Sequence, residues 1–309
     1  MAAEYSYYYL DQARSEWARA RRKARWIKVL DNLDGDSAAG LLDFREVAQR
    51  LNLKHAIYRG LHNIPLDQIV GSVGRYQDFN RAFLPADDSV RERWERIAAL
   101  YLDPTSPGVP PIEVYQVGAS YFVKDGNHRV SVARQLEMED IEAYVWEHPQ
   151  PVTGLDSDTG IDTLLLEAER REFLERTQLD DLRPGHAIHL TAPGGYPALL
   201  HEIETYQQSL SQIDEQPVSF AEAVINWYDF LYETTVQAIA ESDVLRLFPE
   251  RTVADFYVWI RAHHRQLQER YGRRVMLHDA ARDFGKRNRQ HLPGRTARSV
   301  LRWMVHFLS

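Results

Sequence analysis

The chain has 309 residues, of which 44% are hydrophobic and 27% charged, with a net charge of −8 and no cysteine. That length predicts about two domains and can bury a substantial core. The missing cysteines exclude disulfides, thiolate zinc sites, iron–sulfur clusters and cysteine nucleophiles, and the acidic balance excludes a surface that is basic all round while leaving room for a local basic patch.

Residues 1–9 lack the basic-then-apolar pattern of a secretory leader. No apolar run approaches the ~20 residues of a membrane helix. The expectation is a soluble, cytoplasmic, bacterial-type protein with no membrane segment.

Leu10, Ala13, Trp17, Ala20, Ala24, Ile27 and Leu30 recur at helical spacing, which predicts a helix over 9–30. Its other face is basic, from Arg14 through Arg19 to Lys28. A second short helix is expected over 44–53. Ile64–Val70 reads as a strand entered through Pro65, and Gly71, Ser72, Gly74 and Arg75 as a loop after it. Residues 90–101 predict an amphipathic helix, and 103–111 form a proline-rich loop. Ile112–Val117 and Tyr121–Lys124 predict a hairpin around Gly118. A helix over 127–136 and a strand over 141–146 complete a small α/β unit.

Residues 148–162 read as a linker, with Pro149, Pro151, Gly154 and Gly160. Beyond it the pattern is mostly helical: 163–177, 196–209, 219–240, 252–271, 278–287 and 296–308, with a short strand at Ala187–Thr191. Ser219 before Glu222 and Thr252 before Asp255 stand at capping-box spacing. The aromatic set Trp227, Tyr228, Phe230, Tyr232, Phe256, Tyr257 and Trp259 is expected to be helical core. His186 with His189, and His263 with His264, lack the spacing and carboxylate partners of a metal site.

The most informative stretch is Tyr121–Arg134. A strand ends at Lys124, Gly126 permits a tight turn, and a helix begins within the polar cluster Asp125, Asn127, His128 and Arg129. The first N–H groups of a helix have no intrahelical partner, and the helix dipole favours negative charge there. Arg129 suits a phosphate through its planar fork. His128 donates one hydrogen bond when neutral and gains charge beside a phosphate. Asn127 and Ser131 suit a cap or a phosphate oxygen. For Asp125 three roles stay open: holding Mg2+, orienting His128, or fixing the turn. Gly71, Ser72, Gly74 and Arg75 make a second donor-rich loop.

The segment 111–146, with the strand-like Ile64–Ile69 upstream, resembles the ParB/sulfiredoxin-like superfamily. The likeness covers residues ~60–147 and rests on Pro-Ile-Glu-Val, the hairpin, Asp125-Gly-Asn-His-Arg129 and Ile141–Val145. It implies an α+β fold: residues 1–59 as an N-terminal helical segment, 60–147 as a small mixed α/β domain, 148–162 as linker and 163–309 as a helical domain. It also implies nucleotide phosphates (CTP, ATP or ADP) at the glycine turn. Asn127 stands where the sulfiredoxin version carries its cysteine, so that chemistry is excluded. The His-Arg pair is similar to that of small kinases of the same fold. The whole pattern also resembles a bacterial family of unknown function built from a ParB-like and a helical part.

The leading expectation is a regulatory or DNA-associated nucleotide-binding protein. Gly126, Asn127, His128, Arg129, Ser131, Gly71, Ser72, Gly74 and Arg75 would hold the nucleotide and Asp125 a magnesium ion. DNA would contact the basic segments Arg19–Lys28 and Arg282–Arg302, and an oligomer is compatible with the sequence. The alternatives are a small-molecule phosphotransferase or nucleotide hydrolase using Asp125 and His128, with Asp78 as another candidate base, and a ligand-free protein-interaction module.

Overall fold

A computed structural model describes residues 2–34, 41–74, 78–149, 155, 156, 158–240, 245 and 250–271; in the first and last helices the side chains described are those of 8–27 and 253–262. The chain forms two compact units, Met1–Leu164 and Leu165–Ser309.

The first unit opens with helix α1 (Ala2–Asp34), then β1 (Leu42–Asp43), α2 (Phe44–Arg50) and the long strand β2 (Ile57–Pro65). A 3-10 turn at Leu66–Gln68 leads into β3 (Ile69–Ser72), then α3 (Arg91–Leu102), β4 (Ile112–Val117), β5 (Ser120–Asp125), α4 (Asn127–Gln135) and β6 (Asp140–His148). The six strands form one mixed sheet in the order β1-β3-β5-β4-β6-β2. β3 runs parallel to β5 and β4 parallel to β6, while β4–β5 and β2–β6 are antiparallel.

One face of this sheet carries Ile64, Ile112, Val114, Val123, Ala143 and Val145, packed with Trp17 of α1, Trp94 of α3 and Val130 and Ala133 of α4. Trp17 and Trp94 meet edge to face at 5.5 Å. Burying each stabilises the unit by about 2–3 kcal/mol. The opposite face carries Phe122, tilted against Phe44 of α2 at 5.4 Å. Because β5 is covered on both sides, Phe122 and Val123 are both buried although they point opposite ways. The N-terminal helix expected as a separate segment therefore belongs to the same unit: Ala13, Trp17, Ala20 and Ala24 are buried in its core.

Two local expectations are corrected. The strand expected over 64–70 is split at Pro65, which has no N–H to continue a ladder; Leu66 N–H turns to the Glu139 carbonyl at 3.0 Å. Gly71 and Ser72, expected in a loop, complete β3. A Cβ on Gly71 would stand 2.4 Å from the Leu42 carbonyl and 2.7 Å from Phe122, so this glycine serves the close approach of strands.

In the second unit α5 (Ile161–Thr177), which starts just before the boundary, is followed by α6 (Leu179–Leu182), α7 (Gly195–Ile213), α8 (Phe220–Asn226), α9 (Glu233–Ala240) and α10 (Val253–Tyr271). Trp227–Tyr232 form a π-helical stretch between α8 and α9. Trp227, Tyr232, Phe256 and Tyr257 are core, as their helical spacing predicts, while Phe230 is exposed. At α10 the capping box closes both ways, Asp255 N–H donating to Thr252 Oγ1 at 3.2 Å and Thr252 N–H to Asp255 Oδ2 at 2.9 Å; at α8 Ser219 Oγ caps by accepting from Glu222 N–H at 3.2 Å. The strand expected at Ala187–Thr191 is absent. Its backbone turns to side chains, with Thr191 N–H donating to Asp255 Oδ1 at 3.0 Å. The expected helices over 278–287 and 296–308 and the basic segment Arg282–Arg302 lie outside the described residues. No helix among the described residues is long and apolar enough to cross a membrane.

Candidate functional site

The sequence motif folds as a strand, a turn and a helix start. β5 ends at Asp125, and Gly126 takes φ 117°, ψ 18°. A side chain there would be strained, and its Cβ would lie 2.5 Å from Ile112 Cγ2. Val130 N–H donates to the Gly126 carbonyl at 3.0 Å, the first bond of α4. The amides of Asn127, His128 and Arg129 thus form the positive end of the helix.

The parallel pairing of β3 and β5 brings their carboxyl ends side by side, so the loop after β3 meets the start of α4. In open α/β sheets ligands bind in the crevice outside the carboxyl ends of strands. Val73 N–H donates to the Val123 carbonyl at 2.9 Å, and Asn127 Nδ2 donates to the Gly74 carbonyl at 3.3 Å. The two donor-rich loops singled out in the sequence therefore touch.

Within that meeting point most candidate side chains are engaged by the protein itself. Arg129 Nη1 donates to the carbonyls of Pro110 at 2.7 Å and Pro111 at 2.6 Å, and Nη2 pairs with Asp125. The fork expected to grip a phosphate instead ties the proline-rich loop to the end of β5. Ser72 Oγ donates to the carbonyls of Val123 and Gly74, and is fully buried. Ser131 lies one turn into α4 and accepts from Trp94 Nε1 at 2.9 Å. Its buried hydroxyl joins α4 to α3. His128 is buried with its ring edge-on to Phe79 at 5.4 Å. Asp125 has a largely exposed side chain, 62%. Asp78 is half-buried, and its carbonyl accepts from Ala86 N–H at 2.8 Å. Arg75 lies outside the described residues.

One group of the constellation stands apart. Asn127 is 7% exposed, and its Oδ1 is buried without a hydrogen-bond partner. A buried acceptor left unpaired costs about 1–3 kcal/mol, and a ligand donor placed there would relieve it. Nearby, Tyr101 also has a buried hydroxyl without a partner. Burial pushes its phenol up to about 12, against a smaller opposing pull from Arg129. The sequence reading passed over Tyr101, Phe79 and the carbonyls of Pro110 and Pro111. The only signal for the last was that prolines hold extended backbone, whose carbonyls are available to a cation.

No three His, Asp or Glu side chains converge into a metal-holding group among the described residues. Of the basic stretch Arg19–Lys28, Arg21 is turned inward, its Nε on Asp88 Oδ1 at 2.9 Å and its Nη1 on the carbonyls of Pro85 and Ala86. The side chain of Lys28 lies outside the described residues. No family model and no curated protein matches this sequence.

Proposed function

We propose that the first unit is a ParB-like nucleotide-binding domain with a regulatory role, taking its ligand where the loops after β3 and β5 meet. The ligand's phosphate lies on the first amides of α4. A ligand hydroxyl, such as that of a ribose, donates to Asn127 Oδ1. Arg129 acts as a strut that fixes the turn, and its positive charge reaches the phosphate only through space. The observation that carries this reading is the buried, unpartnered Oδ1 of Asn127 at a helix start flanked by two glycine loops. Phosphate at a helix N-terminus is favoured by both the free amides and the dipole.

A second reading, phosphotransferase or nucleotide hydrolase, draws on the exposed carboxylate of Asp125 beside the same helix start. In it catalysis rests on positioning and charge neutralisation.

Thermal unfolding of the full chain with CTP, ATP, ADP and inorganic phosphate, with and without Mg2+, tests both. A nucleotide at a hundred times its Kd should stabilise the protein by about 2.7 kcal/mol. The isosteric change Asn127→Leu should remove that stabilisation while the unliganded protein stays folded. Stabilisation without phosphate release supports the regulatory reading, whereas release of phosphate or ADP supports the enzyme. A melting curve indifferent to every nucleotide sinks both.

A further inference from the structure

At the opposite end of α4 lies a groove of about 940 Å³ in the first unit, bounded by α1, by Ala82 and Leu84, and by Arg134–Glu137. Its α1 wall presents Arg19, Arg22, Lys23 and Trp26. These positions fall on one helical face, since residues three and four apart are neighbours and each turn rises ~5.4 Å. Trp26 is 67% exposed, unusual for so large an aromatic, while Trp17 two and a half turns away is core. At the groove floor Gln135 is 7% exposed; its Nε2 donates to Glu16 Oε2 at 2.8 Å and its Oε1 is buried without a partner.

We propose that this groove binds single-stranded nucleic acid. Arg22 and Lys23 flank the exposed indole, while Arg19 beside them is paired with Glu16 at 2.8 Å; two cations beside an indole make the combination that strand-binding proteins use, phosphates on the cations and a base stacked on the ring. The unpaired amide oxygen of Gln135 seeks a donor. Base edges carry N–H donors, whereas ionised phosphates and carboxylates carry none, which favours a nucleic acid over a plain polyanion. A duplex keeps its base faces stacked inside, so the stacking contact selects the single strand. This inference is independent of the nucleotide site at the other end of α4.

Fluorescence anisotropy with a short labelled single-stranded oligonucleotide of mixed sequence tests it on the full chain. Binding should be saturable at low salt, with a slope of log K against log salt of about −1.4, from about 0.7 for each of the two phosphates met by Arg22 and Lys23. Trp26→Ala should weaken binding about ten-fold or more, and Trp26→Phe should restore much of it. Replacing Arg22 and Lys23 with alanine together should flatten the salt slope by about 1.4, leaving little salt dependence. All three positions are on the surface, so melting temperatures should be unchanged. Asn127→Leu should leave strand binding intact, which separates failure here from failure of the nucleotide site. The proposal falls if no binding occurs at low salt, if Trp26→Ala binds as tightly as the parent chain, or if unlabelled duplex or a free mononucleotide competes as well as the strand.

Discussion

Arg129 holds two prolyl carbonyls and one carboxylate from a nearly buried position, so its removal leaves acceptors stranded. Arg129→Ala should lower the stability of the protein by about 2–4 kcal/mol, because bonds from charged donors are worth ~1.5–3 kcal/mol and the orphaned carbonyls add a penalty. Asp125→Asn should cost under ~1 kcal/mol, since its carboxylate is mostly in water. Urea denaturation of the two variants measures the difference. Equal losses, or a larger loss for Asp125→Asn, would refute the strut role. The turn itself was legible in the sequence, because glycine and a run of polar residues between a strand and a helix are local signals. The destination of the arginine was not. Its carbonyl partners are 18 and 19 residues back, and the tryptophan that holds Ser131 is 37 residues away. Nothing in the short-range pattern distinguishes a fork aimed at a ligand from one aimed at the protein's own backbone.

Among the elements, helix starts were the most readable, for the same reason of locality. α8 begins where Ser219 and Glu222 announce it, and α10 where Thr252 and Asp255 do. These two caps should differ in weight. Ser219→Ala removes one exposed bond and should cost about 1 kcal/mol. Asp255 is buried and accepts from Thr252 N at 2.9 Å, Thr191 N at 3.0 Å and Thr191 Oγ1 at 2.9 Å. Asp255→Ala should therefore cost about 2–4 kcal/mol, measurable as a several-degree gap between the melting points of the two variants. A gap of zero would mean that the cap on α10 is no stronger than the one on α8. The 187–191 stretch was misread because alternating apolar residues describe any segment that is buried on one side, with or without a neighbouring strand. Residues 57–63 show the converse. They form a strand whose side chains are nearly all exposed, so they carry no alternation to read.

Among the described residues, a buried histidine contributes to the molecule's response to acid. His148, at the end of β6, lies against Phe44 and Tyr115 with ring centroids 5.5 and 5.3 Å away. Its Nδ1 lies 2.7 Å from the Lys54 carbonyl, which can only accept, so the neutral ring carries its proton on Nδ1. Nε2 is buried without a partner. Burial holds the imidazole below its ordinary 6.5, with the Lys54 bond opposing. The unfolded chain therefore takes up the proton first. The stability this group contributes is full above the unfolded value of 6.5 and is lost as pH falls through it towards the lower native value. Denaturation midpoints of the parent and of His148→Phe should diverge in slope below pH ~6.5, with the variant flatter. Parallel profiles would assign the acid response elsewhere. The sheet order was hidden in the sequence for a related reason of distance: β2 pairs with β6 across the whole of the intervening unit. That placement leaves β2 at the rim with Ile57, Tyr58 and Leu61 outward. The register jumps between Tyr58 and Gly60, so Arg59 is an extra residue on this rim, and Pro65 closes its far end. A straight, greasy border of this length invites neighbouring molecules to stack onto it. The kink, the cation and the missing donor each work against another strand adding to this rim.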